Sequence, residues 1–167
     1  MHRAGSQGSL SGVREGHGRV RRTSPKVDSK ARADKDDFAC AYEVAIRPDD
    51  NRSSEQWARA AWEAAPAPLR WFMLGGWRLI LGLRLGPRHS QDHILGWTIV
   101  DRSPDETVCQ LRSRFLEARN TFQKADGKLI WSTFVTYERP IARGIWSPVS
   151  LLHRLVVRVS LRRAAHP

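Results

Sequence analysis

A chain of 167 residues is long enough for one domain with a proper hydrophobic core and too short for two comfortable ones. Its formal charge is +11, but residues 38–138 carry thirteen basic and twelve acidic side chains, while 1–37 carry nine and five and 139–167 carry six Arg and no acid. A near-neutral middle with basic ends argues against a concentrated nucleic-acid footprint, and no apolar run approaches the ~20 residues of a membrane span.

Residues 1–37 contain Gly, Ser, Arg and Lys with few apolar groups and no apolar stretch of the kind that opens a secretory signal. They bury too little to offset the entropy of ordering, which predicts a disordered basic leader ahead of a domain at 38–167. Phe38 to Ile46 alternates as a strand and runs into the turn Arg47-Pro48-Asp49-Asp50. Ser53 with Gln56 is a capping box that starts a helix over about 55–65, ended by Pro66 and Pro68. A second helix, about 69–85, is apolar nearly all round, which fits burial on most sides or an interfacial position; Gly86-Pro87 stops it.

Past a polar loop, Ile94 to Val100 reads as a strand, Ser103-Pro104-Asp105 as a turn and Thr107 to Arg112 as another strand. Glu117 to Lys124 and Lys128 to Tyr137 flank Asp126-Gly127, a strong two-residue hairpin signal. Pro140 opens a helix over 141–165, where Ile145, Val149, Leu152, Val156 and Val159 form an apolar stripe and Arg154, Arg158 and Arg162 a second face, read first as a solvated flank and second as an anion-binding ridge. Cys40 and Cys109 sit in apolar surroundings without a C-x-x-C pair and read as buried thiols of a reducing compartment, hence a cytoplasmic protein. The whole is an α+β fold: a curved antiparallel sheet packed around a long C-terminal helix, with two shorter helices after the first strand. A sheet that curls around a terminal helix leaves a space between them.

Leu95-Gly96-Trp97, Trp131-Ser132-Thr133-Phe134-Val135, Tyr137-Glu138-Arg139-Pro140, Trp146, Leu152 to Val157 and Leu161 to Ala165 together resemble the helix-grip or START-like (SRPBCC) superfamily, the polyketide-cyclase and lipid-transfer-like proteins. Within it the chain looks like an uncharacterised bacterial family found alone or fused behind an NAD(P)-binding Rossmann domain. The resemblance implies a cavity for a hydrophobic small molecule and, by analogy, a separate NAD(P)-binding partner, since no dinucleotide fingerprint occurs in this chain.

Candidate polar groups for such a cavity are Arg112, Glu117, Asn120, Thr133, Tyr137 and His153, with Trp131 on the same strand face as Thr133 and Tyr137. Strand period alone leaves open which face points inward. No catalytic triad, phosphate loop or cofactor motif is present, and His89, Asp92 and His93 read as a surface loop rather than a zinc site. The leading function is a binder of a lipid, polyketide or aromatic metabolite. One alternative is a cyclase-like or dehydratase-like enzyme that brings two of His153, Tyr137 and Glu117 together at the cavity. Another is a peripheral membrane or partner-docking module that uses residues 71–83 and the terminal arginines.

Overall fold

In the computed structural model, residues 19–25 and 36–166 are described. Eight strands form one antiparallel sheet: β1 (Arg21–Thr23), β2 (Phe38–Ala45), β3 (His89–Ser90), β4 (His93–Ile94), β5 (Trp97–Arg102), β6 (Glu106–Arg112), β7 (Leu116–Ala125) and β8 (Lys128–Tyr137). The spatial order is β1-β2-β8-β7-β6-β5-β4-β3. The run from β3 to β8 is thus a meander, and β2 returns to pair with its last strand. The described residues also form three helices: α1 (Ser54–Trp62), α2 (Ala67–Gly75), extended by a π-helical segment at Gly76–Ile80, and α3 (Ile141–Ala165). This is the α+β architecture read from the sequence.

Arg21–Thr23, inside the stretch expected to lack order, pairs with Ala41–Glu43 and adds an edge strand. The rest of that expectation falls on residues 1–18 and 26–35, outside the described residues. The second helix is shorter than expected because Gly82, at φ 60, turns the chain out of helical geometry before Leu85.

Register fixes the faces. The Asp126-Gly127 hairpin, with φ of 53 and 69, sets Asn120 opposite Thr133 and Phe122 opposite Trp131. Continuing across β2 and β6 gives the rows Cys40–Thr133–Asn120–Cys109 and Tyr42–Trp131–Phe122–Thr107. The helices pack on this face. Both cysteines are buried and free, and burial pushes their thiols up to about 11 (Cys40) and about 12 (Cys109), so both stay protonated. Three strand spacings separate them, about 14 Å, which no disulfide can bridge.

The capping box at Ser53 and Gln56 forms as expected. Its neighbour Ser54 exchanges a 2.8 Å hydrogen bond with Thr107, which seats α1 on β6. Helix α3 is held at both ends. The backbone N–H groups of Glu138 and Arg139 donate to the Phe115 carbonyl, and Arg52 donates to the Ala164 carbonyl at 3.0 Å while pairing with Asp50 at 2.6 Å. That pairing holds the Asp50 carboxyl below its usual range.

The apolar stripe of α3 lies at the edge of the core, with Ile145, Val149 and Val156 partly buried against it and Leu152 and Val159 exposed. The buried line is Ala142, Trp146, Ser150, Val157, Ser160, Leu161 and Ala164, about a quarter-turn away. Small residues at 142, 150, 160 and 164 let the helix approach α1 and the sheet closely. Arg154 and Arg158 lie on the opposite flank, stacked over Phe38 and Tyr42.

Leu95-Gly96 closes β4 onto β5 with both residues at positive φ, 48 and 89. A Cβ on Gly96 would meet the Gly86 carbonyl oxygen at 3.1 Å, whereas one on Gly127 would meet nothing within 4 Å. Gly96→Ala is therefore expected to cost about 1–3 kcal/mol, and Gly127→Asn close to nothing, measured as shifts in urea midpoint. Equal shifts for the two would show that the Gly86 contact contributes nothing.

Candidate functional site

Between the sheet and the helices lies a cavity of about 360 Å³. Ala118, Asn120, Trp131 and Thr133 form its floor, with Trp62 and Trp97 beside them. Met73 and the segment Gly75–Leu81 supply one wall, and Trp146, Val149, Leu152, His153 and Val156 the other. Six of the chain's seven tryptophans line it. The three residues of the α3 stripe at 149, 152 and 156 thus serve as cavity wall. Trp71, Phe72, Leu79, Ile80 and Leu152 are both lining and exposed, and they mark the mouth.

The π-helical segment has a mechanical role here. The Leu81 N–H bonds the Gly76 carbonyl, five residues back, and this extra residue in the turn sends Leu81 inward while Leu79 and Ile80 face out. Cβ atoms at Gly75 or Gly76 would meet nothing within 4 Å, so both glycines leave open space along the wall.

Trp62 is fully buried and meets four rings, Trp77, Trp97, Phe122 and Trp131, at centroid distances of 5.3 to 5.6 Å. It joins α1, the π-helical segment and three strands in one aromatic cluster.

Apart from indole N–H groups, the polar lining consists of Asn120, Thr133 and His153, and these form one chain. Trp131 Nε1–H donates to Asn120 Oδ1 at 2.8 Å and Thr133 Oγ1–H to the same oxygen at 2.7 Å. An indole nitrogen only donates, so the amide oxygen must face Trp131. With its proton committed, Thr133 Oγ1 accepts from His153 Nε2–H at 3.0 Å. The imidazole therefore carries a proton on Nε2. Burial, with the nearby Arg154 charge adding to it, depresses His153 to about 4. The amide nitrogen of Asn120 and Nδ1 of His153 have no partner among the described residues. Beside the unpartnered indole N–H groups of Trp62, Trp97 and Trp146, one amide donor group and one acceptor are thus left for a ligand, in a wall with no ionised side chain.

Of the seven residues singled out in the sequence, Asn120, Trp131, Thr133 and His153 come together at the cavity. Arg112 and Glu117 do not. They pair with each other at 2.5 Å on the other face of the sheet, where Gln110 also donates to Glu117 at 2.7 Å. The hairpin register already implies this, because it sets Glu117 opposite Thr136, out of phase with Trp131 and Thr133. Tyr137 shares the inner parity but lies at the end of β8, beyond the cavity lining, with its phenol raised by burial and by Asp37. His153, Tyr137 and Glu117 therefore do not converge, and the acid–base arrangement considered for a cyclase or dehydratase is not formed. The 89–93 segment is the β3–β4 hairpin rather than a loop, and no cluster of three or more metal-ligating side chains occurs among the described residues. Sequence reasoning missed Trp62, Trp77, Trp97 and the glycine pair, although Gly75-Gly76 inside an apolar run is a visible signal.

Residues 22–160 match the family described as "Protein of unknown function (DUF2867)". No protein with a curated description matches the chain. A solved structure of an uncharacterised protein from Rhizobium leguminosarum is similar at 15% identity and a TM-score of 0.38, covering 77% of this chain and 93% of that one.

Proposed function

The chain belongs to the DUF2867 family of unknown function, and from that premise we propose that it binds a hydrophobic small molecule carrying one neutral polar group. The observation that carries this reading is the tryptophan-lined cavity, whose only polar lining besides the indoles is the uncharged Asn120–Thr133–His153 chain. An apolar space with a few convergent polar groups is the usual form of a small-molecule site. The resemblance to helix-grip proteins, which hold lipids and polyketides in such a space, supports the same ligand classes. A carboxylate ligand would find no cation in this wall; an alcohol, a ketone or an amide would find both a donor and an acceptor.

Two measurements test this. Native mass spectrometry of protein purified without detergent should show a bound mass beside the bare chain. Titration with long-chain alcohols and polycyclic phenols should shift the intrinsic fluorescence, because six indoles surround the site. A bare chain in every preparation together with unchanged fluorescence would remove the proposal.

A further inference from the structure

Among the described residues ten large hydrophobic side chains are exposed, and nine of them lie on the two elements that flank the cavity: Trp71, Phe72, Leu79 and Ile80 on α2 and its π-helical extension, and Ile141, Leu151, Leu152, Leu155 and Val159 on α3. Leu79 is 83% exposed, Leu151 69% and Trp71 62%, so this is not incidental grazing of solvent. Clustered exposed apolar surface of this kind marks an interaction site. On α3 the exposed residues form a stripe of their own, next to the cavity-lining one.

Charge selects the occupant. Residues 64–91 contain Arg70, Arg78, Arg84 and Arg88 and no acid, and residues 139–167 contain six Arg and no acid. Arg78, Arg84 and Arg88 are exposed, and none of the ion pairs among the described residues uses them. The Arg88 guanidinium lies 5.3 Å from the centre of the exposed Trp71 ring. An apolar rim with an indole at its edge and a fringe of uncompensated guanidinium groups complements the headgroup and acyl boundary of an anionic bilayer. No helix among the described residues is long and apolar enough to cross a membrane, so the contact is a peripheral one.

We propose that the rim formed by α2, its π-helical extension and the outer face of α3 docks on an anionic phospholipid surface, which places the cavity mouth against the bilayer. Docking itself rests only on the rim; that the mouth then exchanges an amphipathic lipid with the membrane rests on the binding function proposed above.

The test is co-sedimentation of the full chain with vesicles of phosphatidylcholine alone and of phosphatidylcholine with phosphatidylglycerol at about 7:3, in about 0.05 M and about 0.5 M NaCl. Binding is expected only to the mixed vesicles and is expected to fall several-fold in the higher salt. Leu151→Glu/Leu155→Glu, which leaves the cavity lining untouched, should lower the bound fraction on the order of tenfold. Leu79→Glu/Ile80→Glu should do the same from the opposite wall, with circular dichroism confirming that both variants are folded. Equal binding to both vesicle types, absence of binding at low salt, or folded variants that bind as the parent does would each overturn the proposal. So would a dimer in solution that dissociates in the Leu151/Leu155 variant while no vesicle binding is seen, since the rim would then be a contact between copies. Vesicle binding by a protein whose fluorescence ignores every small-molecule titrant would leave docking standing and remove the binding function; the converse result removes docking alone.

Discussion

Trp62→Ala is expected to lower the unfolding free energy by about 3–5 kcal/mol, the range for removing a large buried aromatic side chain. Trp62 is fully buried and four rings rest on it, so truncation removes edge-to-face contacts as well as buried area. Its neighbours stand on different elements and cannot collapse into the space independently, and the void would join the existing cavity. Against a total stability of about 5–15 kcal/mol, the variant should be marginal at 37 °C. Trp62→Phe keeps a ring among the four partners and discards an indole N–H that has no partner among the described residues, so a cost of about 1–2 kcal/mol is expected. Urea denaturation of both variants is the measurement. A loss below about 1 kcal/mol for Trp62→Ala would mean that the cluster repacks and that Trp62 is not its centre.

How much of this was legible beforehand follows from the range over which each feature is encoded. The capping box at Ser53 and Gln56, the Asp126-Gly127 hairpin and the limits of α3 are set by residues within a few positions, and each appears where the sequence puts it. The face of α3 is a different matter. The helix is apolar on its cavity side and on its outer side, and its buried line includes serines and alanines that a hydrophobic pattern passes over. Periodicity therefore finds a real stripe but does not say what it faces; three of its residues, Val149, Leu152 and Val156, are cavity wall. The two-residue strands β3 and β4 exist through pairing with each other and, for β4, with β5, which no local pattern records.

The site was legible in part for the same reason. Asn120, Thr133 and His153 lie in segments whose type was plain, and the hairpin register alone brings the first two together. Arg112 and Glu117 are polar residues on adjacent strands, but the same register sends them to the other face. The tryptophan lining required knowing that α1, the π-helical segment and β5 meet over β7 and β8. That meeting is tertiary, and no spacing along the chain records it.

The second large effect expected is a loss of stability in mild acid through one imidazole. His153 has an ordinary value of 6.5 and is held at about 4 by burial and by Arg154. With the folded value depressed, the unfolded chain binds the proton first. The stability contributed by the neutral ring is therefore complete above pH 6.5 and is lost as pH falls toward 4, where the folded protein also takes up the proton. A shift of that size corresponds to about 3 kcal/mol across the window. Asp50, also depressed by its arginine, loses its contribution only below its ordinary value of 3.8 and leaves this window clear. His153→Gln separates titration from packing, because its amide N–H can still donate to Thr133 Oγ1 but cannot gain a proton in this range. Urea midpoints between about pH 7 and about pH 4.5 should fall steeply for the parent protein and stay nearly level for His153→Gln. If the two curves ran parallel, the acid sensitivity would belong to other groups. The ring would then not be the neutral group whose Nδ1 is open as an acceptor in the cavity.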